Sequence, residues 1–397
     1  MRPEPRAASL ALTLLSHDWA GLPLALVPAA AGTCCLVRGR GPVSFLPGGA
    51  LLAVGGLLGA GSLRHLRRIA RISKRYPPPG QLVDVGGHRM HVLAEGERAG
   101  MPTVVWMPGG HVGGYAMYHL HALMRGEARS VLVDRPGTGW SGPGPFPRTT
   151  AREAEELLTV LEAAGEEGPF VFVGHSFGGL LVANAARRRP DRLAGVVLLD
   201  PTPPHVIAFG PPLPELRKAS AGQLRRALWE LFGLRREDHG GPAPEGAASG
   251  GWSEPERVLA AVETRTRAGC AAASIFRELP PLGLSAAGWQ TVIHDGDLDG
   301  LPLVVVAPRD LTGAEDSLRG AGSHDEQSRI RRFYLTARDH YLTASSRARR
   351  IHAPEGTGHT FPDEVPEFVV EVVRSVLRQP TTGPVRGDGP DLENRSR

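Results

Sequence analysis

A serine between two glycines is the first feature of this sequence that could carry out a reaction. Gly174-His175-Ser176-Phe177-Gly178 has the pattern Gly-x-Ser-x-Gly. A serine hydroxyl is a weak nucleophile until a neighbouring base removes its proton, and an activated serine attacks carbonyl carbons. The chain contains 51 glycines, so the pattern alone has low specificity and its surroundings must be considered.

The residues on either side of this pattern favour a nucleophile. The apolar run at 170–173 is typical of a short buried strand, and residues 180–189 read as a helix that ends at a proline. A strand, a sharp turn and a helix together form a nucleophile elbow. Its glycines are expected because a Cβ would clash in so tight a turn. The turn also places the Phe177 N–H at a helix N-terminus, where it can stabilise an oxyanion.

Short apolar strands alternate with helices over the central part of the chain. Strands are predicted at 81–85, 89–94, 103–107, 130–133, 170–173, 194–199, 303–306 and 350–353. Helices are predicted at 115–124, 151–164, 180–189 and 364–377. This alternation predicts the α/β class, with a mainly parallel β-sheet covered by helices on both faces.

Four motifs along residues 80–378 resemble those of the α/β-hydrolase fold family. In chain order they are Pro108-Gly109-Gly110, Asp134-Arg135-Pro136-Gly137-x-Gly139-x-Ser141, the Ser176 elbow, and Gly358-His359. The family usually carries His-Gly where this chain has Pro108-Gly109. Since the resemblance assigns backbone donors to the oxyanion hole, this difference leaves the hole intact. Those donors would be the N–H groups of Gly110 and Phe177.

The same resemblance implies a catalytic triad in the chain order Ser, acid, His. Ser176 would be the nucleophile and His359 the base. His359 lies in a loop between a late strand and the final helix, and such a loop can bring an imidazole over the C-terminal edge of the sheet. His175, inside the elbow, is expected to point elsewhere.

The acid of the triad has more than one candidate. Asp310 follows the predicted strand 303–306 at the position where the family usually places its acid, and it is the expected residue. Asp200 ends the strand after the elbow, which is the position used by a minority of relatives. Asp316 is a further alternative. The acid must hold the imidazole in the correct tautomer and stabilise its positive form.

A helical insertion is expected between the strand that ends before Asp200 and the next strand. Helices are predicted at 214–236 and 254–279, within a cap insertion at about 202–300 of a hydrolase domain at 80–378. They would either roof the active site or pack on the core. Residues 379–397 are rich in proline, glycine and charge, and are predicted to be a disordered tail.

The N-terminal 79 residues have a different composition from the rest. Two uncharged stretches, 19–37 and 43–63, are each about 20 residues long, near the length that crosses a hydrocarbon core of ~30 Å. A basic run at 64–75 follows them. A two-helix membrane anchor is expected, with the catalytic domain on the cytoplasmic side of a bacterial inner membrane. A signal peptide with one anchor, or a packed helical extension, are the alternatives.

These features together predict a serine hydrolase that cleaves an ester-type small molecule through an acyl-enzyme, and the expected membrane anchor favours a lipophilic ester. The alternatives are a binding or receptor protein that has lost catalysis, and a cofactor-free perhydrolase. No cofactor and no metal are expected, because the three cysteines have no zinc-binding spacing and the run 295–300 lacks the final glutamate of a calcium loop. The net charge of +4 is concentrated at 64–75, which argues against nucleic acid as a partner.

Overall fold

A computed structural model of the chain describes residues 6–39, 42–98, 100–203, 213–234, 254–284, 296–309, 323–325, 327–328 and 337–379.

An eight-stranded sheet forms the centre of the part of the chain that follows the N-terminal helices. Its strands are β1 (Gln81–Asp84), β2 (Arg89–Glu95), β3 (Thr103–Met107), β4 (Ser130–Val133), β5 (Phe170–His175), β6 (Leu193–Leu199), β7 (Leu303–Ala307) and β8 (Ala348–His352). The spatial order is β1-β2-β4-β3-β5-β6-β7-β8. β2 pairs antiparallel with β1 and β4, and all the other pairs are parallel. The predicted, mainly parallel sheet is therefore confirmed.

Helices cover both faces of this sheet. They are α4 (Tyr118–Met124), α5 (Thr150–Ala163), α6 (Phe177–Arg188), α10 (Phe361–Glu364) and α11 (Pro366–Leu377). Side chains alternate along each strand, so Val105 and Met107 share one apolar core with α5 and α6. Val104 and Trp106 share the opposite core with α4 and α11. The strands are buried on both faces, which explains their uninterrupted apolar sequences.

Among the residues that the structure describes between β6 and β7, where the cap was expected, three form helices. They are α7 (Leu213–Leu231), α8 (Glu254–Val262) and α9 (Thr266–Leu284). The single helix predicted at 254–279 is therefore two helices. The second begins at Thr266, whose N–H and hydroxyl both donate to the Asp18 carboxylate, at 3.2 and 3.1 Å. Because Asp18 is far away in the sequence, only the tertiary structure supplies this cap for a helix N-terminus.

The N-terminal part contains α1 (Arg6–Leu15), α2 (Gly21–Arg38) and α3 (Pro42–Arg75). α2 and α3 match the two predicted stretches, except that α3 continues through the basic run. They pack tightly, because a Cβ on Gly32 would lie 2.6 Å from the Gly48 carbonyl oxygen and one on Gly55 would lie 2.8 Å from the Ala29 nitrogen. Two helices here, Asp18–Arg38 and Phe45–Arg75, are long and apolar enough to cross a membrane. The tail predicted at 379–397 lies outside the described residues, apart from Gln379.

Candidate active site

Ser176 lies in the sharp turn between β5 and α6. Its backbone has φ +52° and ψ −120°, a conformation that a residue other than glycine rarely adopts. A Cβ on Gly174 would lie 2.5 Å from the Gly178 carbonyl oxygen, and one on Gly178 would lie 2.3 Å from the carbonyl oxygen of Met107. The two glycines of the motif are therefore required by backbone contacts, as the sequence predicts for a nucleophile elbow.

His359 lies between the Ser176 hydroxyl and a carboxylate. It is in the loop between β8 and α10, and its Nε2 is 3.0 Å from Ser176 Oγ. Its Nδ1 is 2.6 Å from Asp200 Oδ2. The Asp200 side chain is 1% exposed and that of His359 is 41% exposed, so the carboxylate is shielded while the imidazole is accessible. The arrangement can move a proton from the serine to the imidazole and stabilise the imidazolium that forms.

The carboxylate that contacts His359 is that of Asp200, which the sequence offered as an alternative to the expected Asp310. Asp310 and Asp316 lie outside the described residues. Since Nδ1 carries a single proton, its hydrogen bond to Asp200 makes Asp200 the acid that the geometry favours. Asp200 follows β6 directly and has φ +41°, and its N–H donates to the Val306 carbonyl oxygen at 2.7 Å. This kink at the strand end turns the carboxylate towards His359.

His175, which the sequence analysis set aside, positions the loop that carries His359. Its Nε2 lies 2.9 Å from the backbone carbonyl oxygen of His359, and the two ring centroids are 4.7 Å apart. Burial, and the positive charge of a protonated His359 beside it, lower the pKa of His175 to about 4. At neutral pH the ring is therefore uncharged, with its Nε2–H donating to the carbonyl. No sequence signal separates this role from a surface histidine.

The loop after β3 passes directly beside the nucleophile. A Cβ on Gly109 would lie 2.8 Å from the Cβ of Ser176, and Gly110 has φ +51°. The Arg135 guanidinium donates to the Gly110 carbonyl and lies 3.5 Å from the Gly109 carbonyl oxygen. The Gly109 C=O and the Gly110 N–H belong to one trans peptide and point in opposite directions. Because the Gly109 carbonyl oxygen faces Arg135, the Gly110 N–H points away from it. The Phe177 N–H, in the first turn of α6, has no partner within the helix.

An uncharged, largely aromatic group of side chains lies next to these donors. The ring of His111 packs 5.7 Å from that of Phe177 and 5.2 Å from that of Phe276, which comes from α9. Burial, followed by the Arg135 charge, lowers the pKa of His111 to about 3. His111 is therefore neutral at physiological pH. The β3 loop, the elbow and a cap helix together contribute an apolar wall beside the oxyanion donors.

Asp134, in the second motif, has a structural role. Its carboxylate accepts hydrogen bonds from the backbone N–H groups of Gly114 (2.6 Å) and Trp140 (2.9 Å) and lies 2.9 Å from His91 Nδ1. These bonds hold the loops after β3 and β4 together at the edge of the sheet that carries Ser176. Asp134 therefore holds in place the loops that shape this edge of the sheet.

Glu263 connects the cap helices to the same two loops. Its Oε1 accepts from the N–H groups of Gly113 and Gly139, at 2.7 and 2.8 Å. Burial is the main cause that raises the pKa of Glu263 to about 7. Nearby Asp134 raises it further, while the two N–H groups and Arg267 oppose the shift. Within the described residues, no group of three or more His, Cys, Asp or Glu side chains could hold a metal ion.

Comparison with known proteins gives one family. The family model described as "Alpha/beta hydrolase family" matches residues 104–372, which include the β3 strand, the elbow and His359.

Two curated relatives match shorter segments. A putative carbamate hydrolase RutD of Klebsiella pneumoniae is 37% identical over 103 residues, which are 25% of this chain and 38% of that protein. A lipase, LipV, of Mycobacterium tuberculosis is 44% identical over 85 residues, which are 21% of this chain and 32% of that protein. The chain thus spans between about a third and two fifths of the length of these relatives.

A solved structure extends the likeness in fold. A probable hydrolytic enzyme from Pseudomonas aeruginosa PAO1 superposes with a TM-score of 0.54 at 17% identity, over 77% of this chain and 96% of that one. At this identity the match shows the shared fold alone.

Proposed function

The chain belongs to the alpha/beta hydrolase family, and from that premise we propose that it is a serine hydrolase that cleaves an ester-type bond in a small molecule. Ser176 is the nucleophile, His359 the base and Asp200 the acid. The observation that carries the proposal is the continuous contact from Ser176 Oγ through His359 to the buried Asp200, with distances of 3.0 and 2.6 Å.

The reaction proceeds through an acyl-enzyme. His359 Nε2 accepts the Ser176 hydroxyl proton as Oγ attacks the carbonyl carbon, and Asp200 stabilises the imidazolium. The N–H groups of Gly110 and Phe177 donate to the oxyanion of the tetrahedral intermediate. His359 then gives its proton to the departing alcohol. A water molecule, deprotonated by the same imidazole, releases the acid and restores Ser176.

The substrate is proposed to be a lipophilic ester. The wall formed by His111, Phe177 and Phe276 consists of uncharged rings, and the Arg135 guanidinium lies 5.4 Å from the centroid of the Phe177 ring. Rings of this kind favour an apolar group beside the oxyanion donors. The two apolar N-terminal helices support the same inference, because they suit an enzyme held at a membrane. The curated relatives include a protein named as a lipase, which supports ester chemistry without identifying a substrate.

Labelling with a fluorophosphonate probe tests the proposal. The probe reacts with activated serines, so the detergent-solubilised wild type should be labelled and Ser176→Ala should not. Ser375→Ala is a matched control near the C-terminal end of α11, and it should be labelled like the wild type.

Three outcomes are distinguishable. Labelling of wild type and Ser375→Ala alone would support the proposal and justify a series of esters of increasing chain length. Labelling of all three proteins would mean that another serine is the nucleophile. A folded wild type that is not labelled and hydrolyses no ester would overturn the proposal in favour of a binding protein.

A further inference from the structure

The hairpin of α2 and α3 exposes large apolar side chains on its outer surface. Between 36% and 80% of each of these side chains is accessible: Leu24, Leu26, Val27, Val37, Phe45, Leu46, Leu52, Val54, Leu57 and Leu63. The inner surface uses small residues, since Gly32 and Gly55 allow backbone contact between the two helices. Small residues inside and apolar residues outside are the arrangement of helices packed in lipid.

The length of the hairpin fits a bilayer. α2 has 18 residues and is therefore ~27 Å long, close to a hydrocarbon core of ~30 Å. Arg38 ends α2 at the distal end, and the basic run of α3 begins at Arg64 at the other end. The apolar surface is thus bounded by basic residues at both ends.

The base of the hairpin is docked on the cap. A Cβ on Gly61 would lie 2.0 Å from the Phe232 carbonyl oxygen, and one on Gly21 would lie 2.9 Å from that of Leu231. Arg64 donates to the carbonyl of Gly233, which has φ +58° and lies two residues after the end of α7. The last turn of α7 therefore sits at the level where the apolar part of the hairpin ends.

Exposed aromatic and aliphatic side chains surround this base. Trp19 is 50% exposed and lies two residues before α2. Trp229 is 51% exposed in the last turn of α7, and Leu234, just after this helix, is 61% exposed. Leu10 and Leu14 are exposed on α1, whose Leu12 is buried against Ala227 and Cys270 of the cap. We call these five exposed residues the cap seat: Leu10, Leu14, Trp19, Trp229 and Leu234.

The charges at this level suit an anionic surface. Arg64, Arg67 and Arg71 are exposed in the first turns of α3 beyond its apolar part. The acidic Asp18 at the base turns inward, where it contacts His65 Nε2 at 2.9 Å and Thr266. Arg225 lies over the ring of Trp229 at 5.4 Å. Tryptophan flanked by arginine is typical of the bilayer interface, where the ring is half in lipid and half in water.

We propose that the cap seat contacts the headgroup layer of an anionic phospholipid bilayer spanned by the hairpin. The cap then lies on the membrane surface, instead of being suspended away from it on a tether. Interfacial apolar groups of this kind bury roughly 5–10 Å into the boundary between headgroups and acyl chains. This inference concerns where the cap lies and does not depend on ester hydrolysis.

Site-directed spin labelling of the full chain in nanodiscs tests it. The nanodiscs contain phosphatidylcholine and phosphatidylglycerol, and the background carries Cys34→Ser, Cys35→Ser and Cys270→Ala. Labels are placed at Trp229→Cys and Leu234→Cys. Val27→Cys, on the outer surface of α2, serves as a bilayer reference, and Leu123→Cys, exposed on α4, serves as an aqueous reference. Collisions with oxygen report lipid, and collisions with a water-soluble nickel chelate report water.

We expect labels at 229 and 234 to collide with the nickel chelate several-fold less than the label at 123. They should collide with oxygen more often than the label at 123 but less often than the label at 27, which lies deeper in the bilayer. Nickel accessibility equal to that at 123 would overturn the proposal, because the cap would then stand away from the bilayer. Protection from both reagents would also overturn it, since that result indicates a protein interface, such as a second copy of the chain. A water-exposed label at 27 would show that the hairpin does not span the bilayer, and it would also overturn the proposal.

Discussion

Asp200 reaches the imidazole of His359 because of where its strand lies in the sheet. β6 pairs with β5, the strand that leads into Ser176, and the two strands are parallel, so their carboxyl ends meet at one edge. Asp200 is the first residue beyond β6, and its φ of +41° directs the buried carboxylate towards the loop from β8. Strand neighbours, which no local pattern specifies, therefore bring the three side chains together.

Replacing Asp200 with asparagine should strongly reduce turnover. The amide cannot stabilise the imidazolium and favours the wrong tautomer, so kcat for an ester substrate should fall by roughly 10³–10⁴-fold. Asp310→Asn is the matched control, and its kcat should stay within about threefold of wild type. Steady-state kinetics on the same soluble ester would measure both. The reverse result, a large loss in Asp310→Asn and a small one in Asp200→Asn, would restore Asp310 as the acid.

Glu263, between α8 and α9, connects the cap to the loops after β3 and β4. Glu263 follows α8 and accepts hydrogen bonds from the backbone of the loops after β3 and β4. These loops carry Gly110 and Arg135. Because burial raises the pKa of Glu263, its ionisation is linked to the stability of the folded protein.

The contribution of Glu263 to the stability of wild type should fall as the pH rises from about 4.5 to about 7. The buried His111 and His175, whose pKa values are lowered, contribute in the opposite direction, so the effect is measured as the difference between wild type and a Glu263 variant. Over this range the folded state holds a proton on Glu263 that the unfolded state, with a pKa near 4.5, has released. The loss from Glu263 should be on the order of 3 kcal/mol and complete above pH 7. Glu263→Gln cannot ionise, so this part of the pH dependence should disappear.

Thermal unfolding in detergent between about pH 5 and about pH 8 measures the effect. Glu162→Gln is the control, because Glu162 is exposed on α5 and its substitution should leave the slope unchanged. If Glu263→Gln melts with the same pH dependence as wild type and Glu162→Gln, then Glu263 does not titrate in this range.

At the scale of the whole molecule, α3 joins the N-terminal part to the cap through its basic run. Arg68 donates to the Glu230 carboxylate on α7 and to the Thr264 carbonyl at 3.1 Å, in the turn between α8 and α9. The side chains of Arg68 and Glu230 are only 15% and 3% exposed. The sequence predicts that this basic run flanks a membrane anchor on its cytoplasmic side. The structure shows that the run also contacts the cap inside the protein.

Arg68→Met should weaken this attachment. Methionine keeps the apolar stem but loses the charged hydrogen bonds, which are worth about 1.5–3 kcal/mol each when buried. Tm in detergent should therefore fall by several degrees. Arg67→Met is the control, because Arg67 is exposed on the same helix and should change stability by less than about 0.5 kcal/mol. Equal melting of the two variants would show that the contact of α3 with the cap does not stabilise the fold.

Three features were predictable from sequence: the succession of strands and helices along the chain, the elbow around Ser176, and the loop that carries His359. Each depends on short-range properties: the burial of four to seven consecutive residues, the absence of a Cβ at Gly174 and Gly178, and a loop placed between the last strand and the last helices. The two apolar stretches at the N-terminus were predictable for the same reason, since composition over about 20 residues decides whether a helix suits lipid.

Other features depended on contacts between residues that are far apart in the chain. Asp200 and Asp310 both follow a buried strand, so only the pairing of β6 with β5 and the kink at Asp200 favour one of them. The break before Thr266 depends on Asp18, and the positioning of His359 depends on a hydrogen bond from His175. The sequence by itself determined which elements form and which serine lies in the sharp turn between a strand and a helix. The tertiary structure decided which distant partners complete the site, because long-range contacts leave no periodic or local signal in the chain.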